Sequence, residues 1–343
     1  MNNTPPTEEE RTAAATMLSL LGGIHISRAL HAVAELGIAD LLADGPMTTR
    51  QLAHATATHE PTLHRIMRLL TAVGVFEETG PRTFGPTILG ERLRTGVPAS
   101  MRSWATLPEA LGGVAPFAPI LDTIKTGEPG FDTALGTDLF AYLRDHPDHG
   151  IAFDTAMAER TAAFAPSVAE AFVFSRARTV VDVGGGNGML LAQILRQHPH
   201  LDGVLFDSPA VTSRPNTLLT DPDLAGRCRI EPGDFFDHVP AAGDVYVMAN
   251  IIHDWDDTRA AQILRNCVRA MNEDGRVLLV ERMIPDNPAQ AVPALVSDIN
   301  MLVLTGGRER TVTEYTDLLT AAGLTLRTVR PVSFPYGVLE ATR

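Results

Sequence analysis

A glycine-rich turn between a strand-like run and a helix-like run most constrains the fold of this chain. The run TVVDV at 179–183 leads into GGGNG at 184–188, and the apolar run MLLAQIL follows directly. A glycine turn at the end of a first strand lets a ligand approach the backbone closely, beside helix amides. The pattern predicts a ligand-binding turn, and a plain structural turn between strand and helix is the alternative.

The spacing of the glycines distinguishes two kinds of loop. A dinucleotide-binding loop needs GxGxxG, and Gly184 and Gly186 fit the first two positions, but Met189 occupies the last. The loop instead fits GxGxG, with Asp182 inside the preceding strand. This arrangement resembles the first motif of the S-adenosylmethionine (SAM) methyltransferases.

Strand-like and helix-like runs alternate in the second half of the chain. The strand-like runs include RTVVDV, DGVLFD, DVYVMAN and GRVLLVERM. The helix-like runs include GMLLAQILRQH and TRAAQILRNCVRAM. Alternation of this kind predicts an α/β fold with a mostly parallel sheet and helices on both faces.

The N-terminal segment is predicted to be helical. Residues 12–22 and 25–36 carry apolar residues at helical spacing, Thr48 is a candidate helix cap, and the amphipathic run at 60–74 precedes a hairpin-like stretch. This order is typical of a winged helix. The predicted third helix offers few positive charges, so DNA binding is disfavoured.

Composition disfavours several classes of partner. A net charge of −13 repels phosphate backbones and anionic lipid. No uninterrupted apolar run reaches the roughly 18 residues that span a bilayer, and no secretory signal is visible. Cys228 and Cys267 form no disulfide framework, and the histidines lack metal-ligand spacing. We therefore expect a cytoplasmic protein with no metal, nucleic-acid or membrane partner.

Two further segments predict a nucleoside site at the edge of the sheet. Asp207 ends the run GVLFD, where an acid can accept both hydroxyls of a ribose. Asp234 and Phe235 follow the next strand, where the carboxylate can accept an adenine amino group and the ring can cover the base. Core packing of Phe235 is compatible with this interpretation.

The segment IIHDWDD at 251–257 carries the candidate base. His253 follows a fourth strand, and an imidazole with a pKa of about 6.5 can take the proton of a hydroxyl. A structural or helix-capping histidine is the alternative. Glu281 in LLVERM and Glu309 in GGRERT lie near the ends of later elements, and either could orient the ring.

Taken together, these motifs resemble those of the plant-type SAM-dependent O-methyltransferases, in the bacterial branch that tailors natural products. Six motifs occur in the order that is typical of that family: GGGNG, LFD, GDFF, HDW, the glutamate of VERM, and GGRERT. The resemblance covers nearly the whole chain. It implies a Rossmann-like sheet of seven mostly parallel strands and an N-terminal all-α winged-helix-like dimerisation domain. The implied divisions are 1–105 for dimerisation, 106–170 for a helical, substrate-lining linker and 171–343 for SAM-binding catalysis.

The resemblance also implies an activity: methyl transfer from SAM, leaving S-adenosylhomocysteine (SAH), to a hydroxyl of an aromatic secondary metabolite by a homodimer. It makes His253 the general base, supported by Glu281 and Glu309. The implied cofactor-binding residues are Gly184, Gly186, Asp207, Asp234 and Phe235. The implied substrate-binding residues are Phe153, Met157, Asn250, Asp254, Asp298 and Met301.

Two other classes of function remain open at this level. Some members of the same fold bind SAM but catalyse hydroxylation or decarboxylation, for example of a polyketide, and product mass separates these from methyl transfer. A SAM-responsive regulator that uses the winged helix is the other class. Its discriminator, a basic recognition face, is largely missing from the sequence.

Overall fold

The computed structural model describes residues 6–343 apart from 215, 217, 225 and 334. Within them the chain divides into two compact units, with the boundary between Pro108 and Glu109. The finer division into three segments at 1–105, 106–170 and 171–343 stays a prediction.

The first unit is helical apart from a small antiparallel sheet. Its helices are α1 Glu8–Leu21, α2 Gly23–Glu35, α3 Ile38–Leu41, α4 Thr49–Ala55 and α5 Glu60–Ala72. Helix α6, Arg102–Ala110, begins in this unit and contains Pro108, the last residue before the boundary. Its strands are β1 Met47–Thr48, β2 Phe76–Gly80 and β3 Thr83–Pro86, in the order β1-β3-β2. The predicted hairpin is the β2–β3 pair.

Local sequence signals explain where these helices begin. Thr48 caps α4 as predicted, because its hydroxyl accepts the N–H of Gln51 while the Gln51 side chain accepts the N–H of Thr48 at 2.8 Å. The apolar faces of α2, α4 and α5 meet in one core, with Val33, Leu52 and Met67 at most 1% exposed. The N-terminal unit is thus a small helical domain with its own core.

Helices α1 and α2 present apolar side chains to the outside of the unit. Leu18, Leu20 and Leu21 are 70–72% exposed, and Met17 and Ile24 are more than half exposed. The stretch Glu8–Glu35 is also long and apolar enough to cross a membrane by length and composition, although this is weak evidence for a span. The expectation drawn from the sequence concerned uninterrupted apolar runs, and polar residues interrupt this stretch.

The second unit is the predicted α/β fold. Its helices are α7 Ile120–Thr126, α8 Gly130–Leu135, α9 Leu139–Asp145, α10 Pro147–Ala171, α11 Met189–Gln197, α12 Pro209–Thr212, α13 Asp257–Ala270, α14 Pro288–Leu304 and α15 Val312–Ala321. Its strands are β4 Thr179–Val183, β5 Asp202–Asp207, β6 Cys228–Pro232, β7 Val245–Ala249, β8 Arg276–Arg282, β9 Thr325–Ser333 and β10 Tyr336–Thr342.

Among the described residues these strands form one seven-stranded sheet in the order β6-β5-β4-β7-β8-β10-β9. Neighbours from β6 to β8 are parallel, and β10 runs antiparallel to both β8 and β9. The chain moves outward from β4 to β6 and then returns to β7 on the other side of β4. Ligands bind at such a switch point, beyond the carboxyl ends of the strands.

Apolar side chains cover both faces of this sheet. Val181 and Tyr246 belong to the core on one face and Val180 and Val247 to the core on the other, and all four are fully buried. Parallel strands buried on both faces need such continuous apolar runs. This rigid sheet fixes the glycine loop, Asp207, the turn after β7 and Glu281 at one edge.

Candidate active site

Three glycines of the loop adopt a left-handed backbone. The angle φ is +70° at Gly184, +59° at Gly186 and +79° at Gly188. A Cβ on Gly184 would lie 2.5 Å from Cδ1 of Ile251, whereas one on Gly186 would meet no described heavy atom within 4 Å. The loop therefore packs closely against the next turn at one end and presents bare backbone at the other, as a ligand cradle requires.

Asp207, at the end of β5, is tied to this loop. Its Oδ2 accepts the N–H of Gly186 at 2.8 Å, and its Oδ1 accepts the N–H of Ser208 at 2.6 Å. Burial raises the pKa of Asp207, and these two N–H donors oppose the rise. Beneath the loop, burial and the charge of Asp207 raise the pKa of Asp182 to about 7. Two carboxyl groups thus flank the glycine loop.

Asp234 and Phe235 lie on the neighbouring loop. Asp234 is exposed, and its Oδ1 accepts the N–H of Phe236 at 2.8 Å. The ring of Phe235 is half-buried, and its edge lies 3.6 Å from where a Cβ of Gly184 would be. The ring also meets Trp255 edge to face, at 6.0 Å between centroids. The structure therefore brings together the glycine loop, Asp207 and Phe235 at the edge of the sheet.

His253 lies on a short 3-10 turn, Ile252–Asp254, just after β7. Glu281, fully buried near the end of β8, holds this turn through its backbone. Its Oε1 accepts the N–H groups of Ile251 at 3.1 Å and Ile252 at 2.8 Å. The other oxygen, Oε2, lies 3.7 Å from Nδ1 of His253. Glu281 thus fixes the main chain that carries the imidazole.

Glu309 holds the imidazole itself. Its Oε1 lies 3.0 Å from Nδ1 of His253 and also accepts the hydroxyl of Ser297 at 2.7 Å. The guanidinium of Arg282 donates to Ser297 and lies 3.5 Å from the same carboxylate oxygen. The backbone N–H of Glu309 donates to Asp298 at 2.8 Å. A connected network therefore positions the carboxylate of Glu309 within hydrogen-bond distance of the ring.

Charge in this cluster is unevenly distributed. Burial alone would lower the pKa of His253, but the charges of Glu281, Asp254 and Glu309 outweigh it and raise that pKa to about 9. Burial raises the pKa of Glu281 to about 7 and that of Asp254 to about 6. Burial also opposes ionisation of Glu309, yet contacts with His253 and Ser297 hold its pKa at about 2. In the protein without a bound ligand, these pKa values favour a protonated His253 paired with the ionised carboxylate of Glu309.

Arg310 is a positioning residue that the sequence analysis missed. Its guanidinium is fully buried and donates to Asp257 at 2.7 and 2.9 Å, to the carbonyl of Ile252 at 3.2 Å and to that of Trp255 at 2.9 Å. It therefore clamps both ends of the turn that carries His253. The string GGRERT contains it, but nothing in the string indicates partners so distant in sequence.

Two of the predicted substrate-binding residues, Asp254 and Asp298, contact the His253 cluster, and a third, Asn250, contacts Arg160. Asp254 Oδ1 lies 3.7 Å from Nε2 of His253, and Asp298 supports Glu309. Asn250 has a φ of +55°, and its Oδ1 accepts from Arg160 at 2.7 Å. The first two contacts place Asp254 beside the imidazole and Asp298 beside the backbone of Glu309.

The other three predicted substrate-binding residues lie on helices of the second unit. Phe153 and Met157 are half-buried on α10, and Met301 is half-buried on α14, one turn after Asp298. Arg160 shares the face of Phe153 and Met157, since the three are spaced i, i+4 and i+7. The sequence analysis overlooked Arg160 because an isolated arginine on a helix carries no motif.

One group of described residues bears on the prediction that the protein has no metal site. Atoms of His253, Glu281 and Glu309 lie within 4.8 Å of one another, a spacing that could hold an ion. One oxygen of each glutamate is already engaged, whereas Oε2 of Glu281 and Oε2 of Glu309 are buried without a hydrogen-bond partner among the described residues. Glu281 Oε1 accepts two N–H groups and Glu309 Oε1 faces the ring. We therefore interpret the group as a base with its supports, and the absence of a metal stays a prediction.

The fold and this site define a SAM-dependent methyltransferase. Comparison with protein families gives the narrower assignment: residues 117–325 match the O-methyltransferase domain, and residues 18–96 match the O-methyltransferase dimerisation domain. The first match alone covers more than half of the chain. This chain therefore belongs to the O-methyltransferase family, and the resemblance noted in the sequence is confirmed.

Individual relatives align over nearly the full length. The phenazine O-methyltransferase PhzM of Lysobacter antibioticus is 39% identical, over 98% of this chain and 99% of its own. The solved mitomycin 7-O-methyltransferase MmcR is 37% identical with a TM-score of 0.91, covering 98% of this chain and all of its own. The aclacinomycin 10-hydroxylase RdmB of Streptomyces purpurascens is 36% identical, over 95% and 90%. Other structural neighbours were solved with SAM or SAH bound.

These findings confirm the predicted fold class, the enzyme class and SAM as the cofactor. They do not test the roles of single residues, which remain predictions supported by the geometry above.

Proposed function

We propose that this enzyme transfers the methyl group of SAM to a hydroxyl of an aromatic secondary metabolite, with His253 as the general base. The observation that carries the proposal is the contact of 3.0 Å between Nδ1 of His253 and Glu309. A base of this kind needs an orienting partner on one nitrogen and access to a ligand from the other. Asp254 is the described group that flanks the other nitrogen, Nε2.

The residues at the sheet edge fit the cofactor. The open space at Gly186 leaves room for a ligand against the loop backbone, and the carboxylate of Asp207 is suited to two ribose hydroxyls. Gly184, Asp234 and Phe235 complete the predicted contacts. When bound, SAM supplies an electrophilic methyl group on a positively charged sulfur.

The reaction needs a base because the acceptor hydroxyl has to lose its proton. A phenol has a pKa of about 10, so little of it is anionic at neutral pH. His253 in its neutral form can take the phenol proton at Nε2, while Glu309 stabilises the resulting imidazolium through Nδ1. Glu281 and Arg310 keep the turn in place, so that the ring does not need to reorganise as the charge develops.

The acceptor class is inferred from the relatives. The names of the relatives given above refer to phenazine, mitomycin and aclacinomycin, and one neighbour was solved with 2-hydroxy-5-methyl naphthoic acid. Half-buried Phe153, Met157 and Met301 offer the apolar surface that an aromatic acceptor needs. We propose that these residues, with Asn250, Asp254 and Asp298, bind it.

We further propose that the enzyme is a homodimer that acts in the cytoplasm. The apolar surface of α1 and α2 falls largely within the matched dimerisation domain. Burial of this surface against a second copy would remove leucines that are about 70% exposed from water. We therefore propose that this apolar surface contacts a second subunit rather than a membrane.

A hydroxylase on the same scaffold is the second candidate, favoured by the 36% identity to RdmB. Mass spectrometry separates the two. Incubation with trideuteromethyl SAM and a panel of hydroxylated naphthalenes, phenazines and anthraquinones should give products that carry one labelled methyl group. Products that gain oxygen, or lose carbon dioxide without gaining methyl, would contradict the proposed transfer.

A further inference from the structure

An ion pair joins helix α10 to the segment that follows the end of β5. The carboxylate of Asp154 accepts from the guanidinium of Arg214, and the two side chains are 24% and 26% exposed. Asp154 directly follows Phe153 on α10, the helix that carries two of the predicted acceptor-binding residues. The pair therefore ties the segment after β5 to the helix on the predicted acceptor side.

The backbone of α10 leaves room for this guanidinium at Gly150. Gly150 is buried, and a Cβ there would lie 2.6 Å from Nη2 of Arg214 and 2.9 Å from the backbone oxygen of Leu143. Gly150 and Asp154 are four residues apart, so they lie on the same face of α10. The helix thus receives Arg214 through a missing side chain and a carboxylate one turn later.

The segment 208–216, which contains Arg214, is also tied to the predicted cofactor side at both of its ends. At its start, the N–H of Ser208 donates to Oδ1 of Asp207 at 2.6 Å. At its end, the side-chain amide of Asn216 donates to the carbonyl of Asn187 in the glycine loop at 2.9 Å. Arg214 precedes Asn216 by two residues. One short segment therefore connects α10 to the proposed ribose-binding acid and to the glycine loop.

We propose that Asp154 and Arg214 are positioning residues that transmit cofactor binding to α10, so that SAM orders this helix for the acceptor. The inference rests on the proposed function, in which α10 binds the acceptor. A cofactor bound between Asp207 and the glycine loop restrains both ends of the segment 208–216, and the ion pair extends this restraint to the turn that carries Phe153. A second ligand that binds to an already ordered helix loses less conformational entropy.

Hydrogen–deuterium exchange of the full-length protein, with and without SAH, tests the inference without any knowledge of the acceptor. In the wild type we expect SAH to slow amide exchange at 150–157 by about fivefold or more, the lower end of typical coupling between two sites. Exchange at 164–169 is the internal reference. That part of α10 packs against α11, since Phe164 and Leu191 belong to one core, and its response to SAH should be alike in all variants.

Variants of the pair are compared at saturating SAH. Asp154→Asn and Arg214→Gln should each lose most of the slowing at 150–157, and the exchanged pair Asp154→Arg/Arg214→Asp should restore part of it. Arg196→Gln is the matched control, because Arg196 forms an ion pair of 3.2 Å with Asp221 and is 37% exposed. It should respond to SAH as the wild type does.

The methyl-transfer assay gives a second measurement. For an acceptor that the wild type methylates, Asp154→Asn and Arg214→Gln should raise the KM of the acceptor more than they lower kcat, because the chemical groups around His253 are unchanged. A purely structural role of the pair would lower thermal stability but leave the SAH-dependent difference in exchange intact.

The outcomes separate this inference from the proposed function. Absence of slowing at 150–157 in the wild type, slowing that persists in both single variants, or an equal loss in Arg196→Gln would overturn the coupling. If no acceptor is methylated, the proposed transfer fails while the exchange measurement still decides the coupling. Failure of the wild type to bind SAH would overturn both. The wild-type response alone can contradict the inference, so a variant that fails to fold leaves it testable.

Discussion

Glu309 contacts Nδ1 of His253 at 3.0 Å, and this contact selects the ring nitrogen that can act as a base. The pKa of Glu309 is held at about 2, so its carboxylate can only accept, and Nδ1 must carry the proton. In the neutral ring the basic lone pair then lies on Nε2, the nitrogen on the side of Asp254. The assignment of a base in this site thus follows from one hydrogen bond.

Removal of the imidazole tests that assignment. We expect His253→Ala to lower the rate of methyl transfer by about 10²–10⁴, because general-base catalysis contributes that much. The dissociation constant for SAH should stay near the wild-type value, since Asp207 and the glycine loop are untouched. Single-turnover kinetics and calorimetry measure the two quantities. His54→Ala, at an exposed histidine of the first unit, is the control, and undiminished turnover in His253→Ala would exclude the role.

Binding of SAM should displace a proton from His253. Neighbouring carboxylates raise the pKa of His253 to about 9. Without SAM, the imidazole of His253 therefore stays protonated at neutral pH and up to about pH 9. The positive sulfur of SAM disfavours a second positive charge nearby and lowers that pKa, whereas neutral SAH does not. Affinity for SAM relative to SAH should therefore increase as pH rises toward 9.

Calorimetry in buffers of different ionisation enthalpy measures the released proton. Above about pH 8, Glu281 and Asp254, with pKa values of about 7 and 6, are already ionised, so release there reports on His253. It should disappear in His253→Ala. Equal proton release for SAM and SAH would contradict the prediction.

The two glutamates should contribute unequally. Glu309→Gln removes the charge that stabilises the imidazolium, and loss of a charge-assisted bond of about 1.5–3 kcal/mol corresponds to roughly a 10–100-fold fall in kcat. Glu281→Gln keeps a carbonyl oxygen for the N–H groups of Ile251 and Ile252, so we expect a smaller fall. The pKa seen in the pH profile should drop in Glu309→Gln, and Glu273→Gln serves as a surface control. A larger effect at Glu281 would reverse the assigned roles.

The sequence predicts those features of the site that depend on local spacing. The glycine loop, the acid at the end of β5 and the histidine after β7 each lie next to a recognisable strand, and parallel strands bring their carboxyl ends to one edge. The sequence could not choose between Glu281 and Glu309. The structure shows that they do different things, since one holds backbone N–H groups and the other holds the ring.

What the sequence does not predict depends on partners far along the chain. Arg310 contacts Asp257, 53 residues away, and Arg160 contacts Tyr336, 176 residues away. No periodicity encodes such pairs, because they depend on how the strands are ordered in the sheet.

Asp207 should dominate cofactor affinity. A carboxylate that accepts ribose hydroxyls forms charge-assisted hydrogen bonds, so Asp207→Ala should weaken SAH binding by about 10–100-fold or more. Asp202→Ala, at the opposite end of β5, leaves the edge unchanged and should bind as the wild type does. Titration calorimetry gives both constants. Similar losses in the two variants would indicate destabilisation of the strand rather than a lost contact.

The exposed face of α1 and α2 should hold the dimer together. Leu18 and Leu21 are 72% and 70% exposed, and a glutamate at either position would place a charge in an apolar interface, where an unpaired charge is strongly disfavoured. Light scattering at micromolar concentration should give twice the chain mass for the wild type and the single mass for Leu18→Glu/Leu21→Glu. Val173→Glu changes an equally apolar side chain, 64% exposed in the second unit, and should remain dimeric. A monomeric wild type, or a dimeric double variant, would remove this face from the interface.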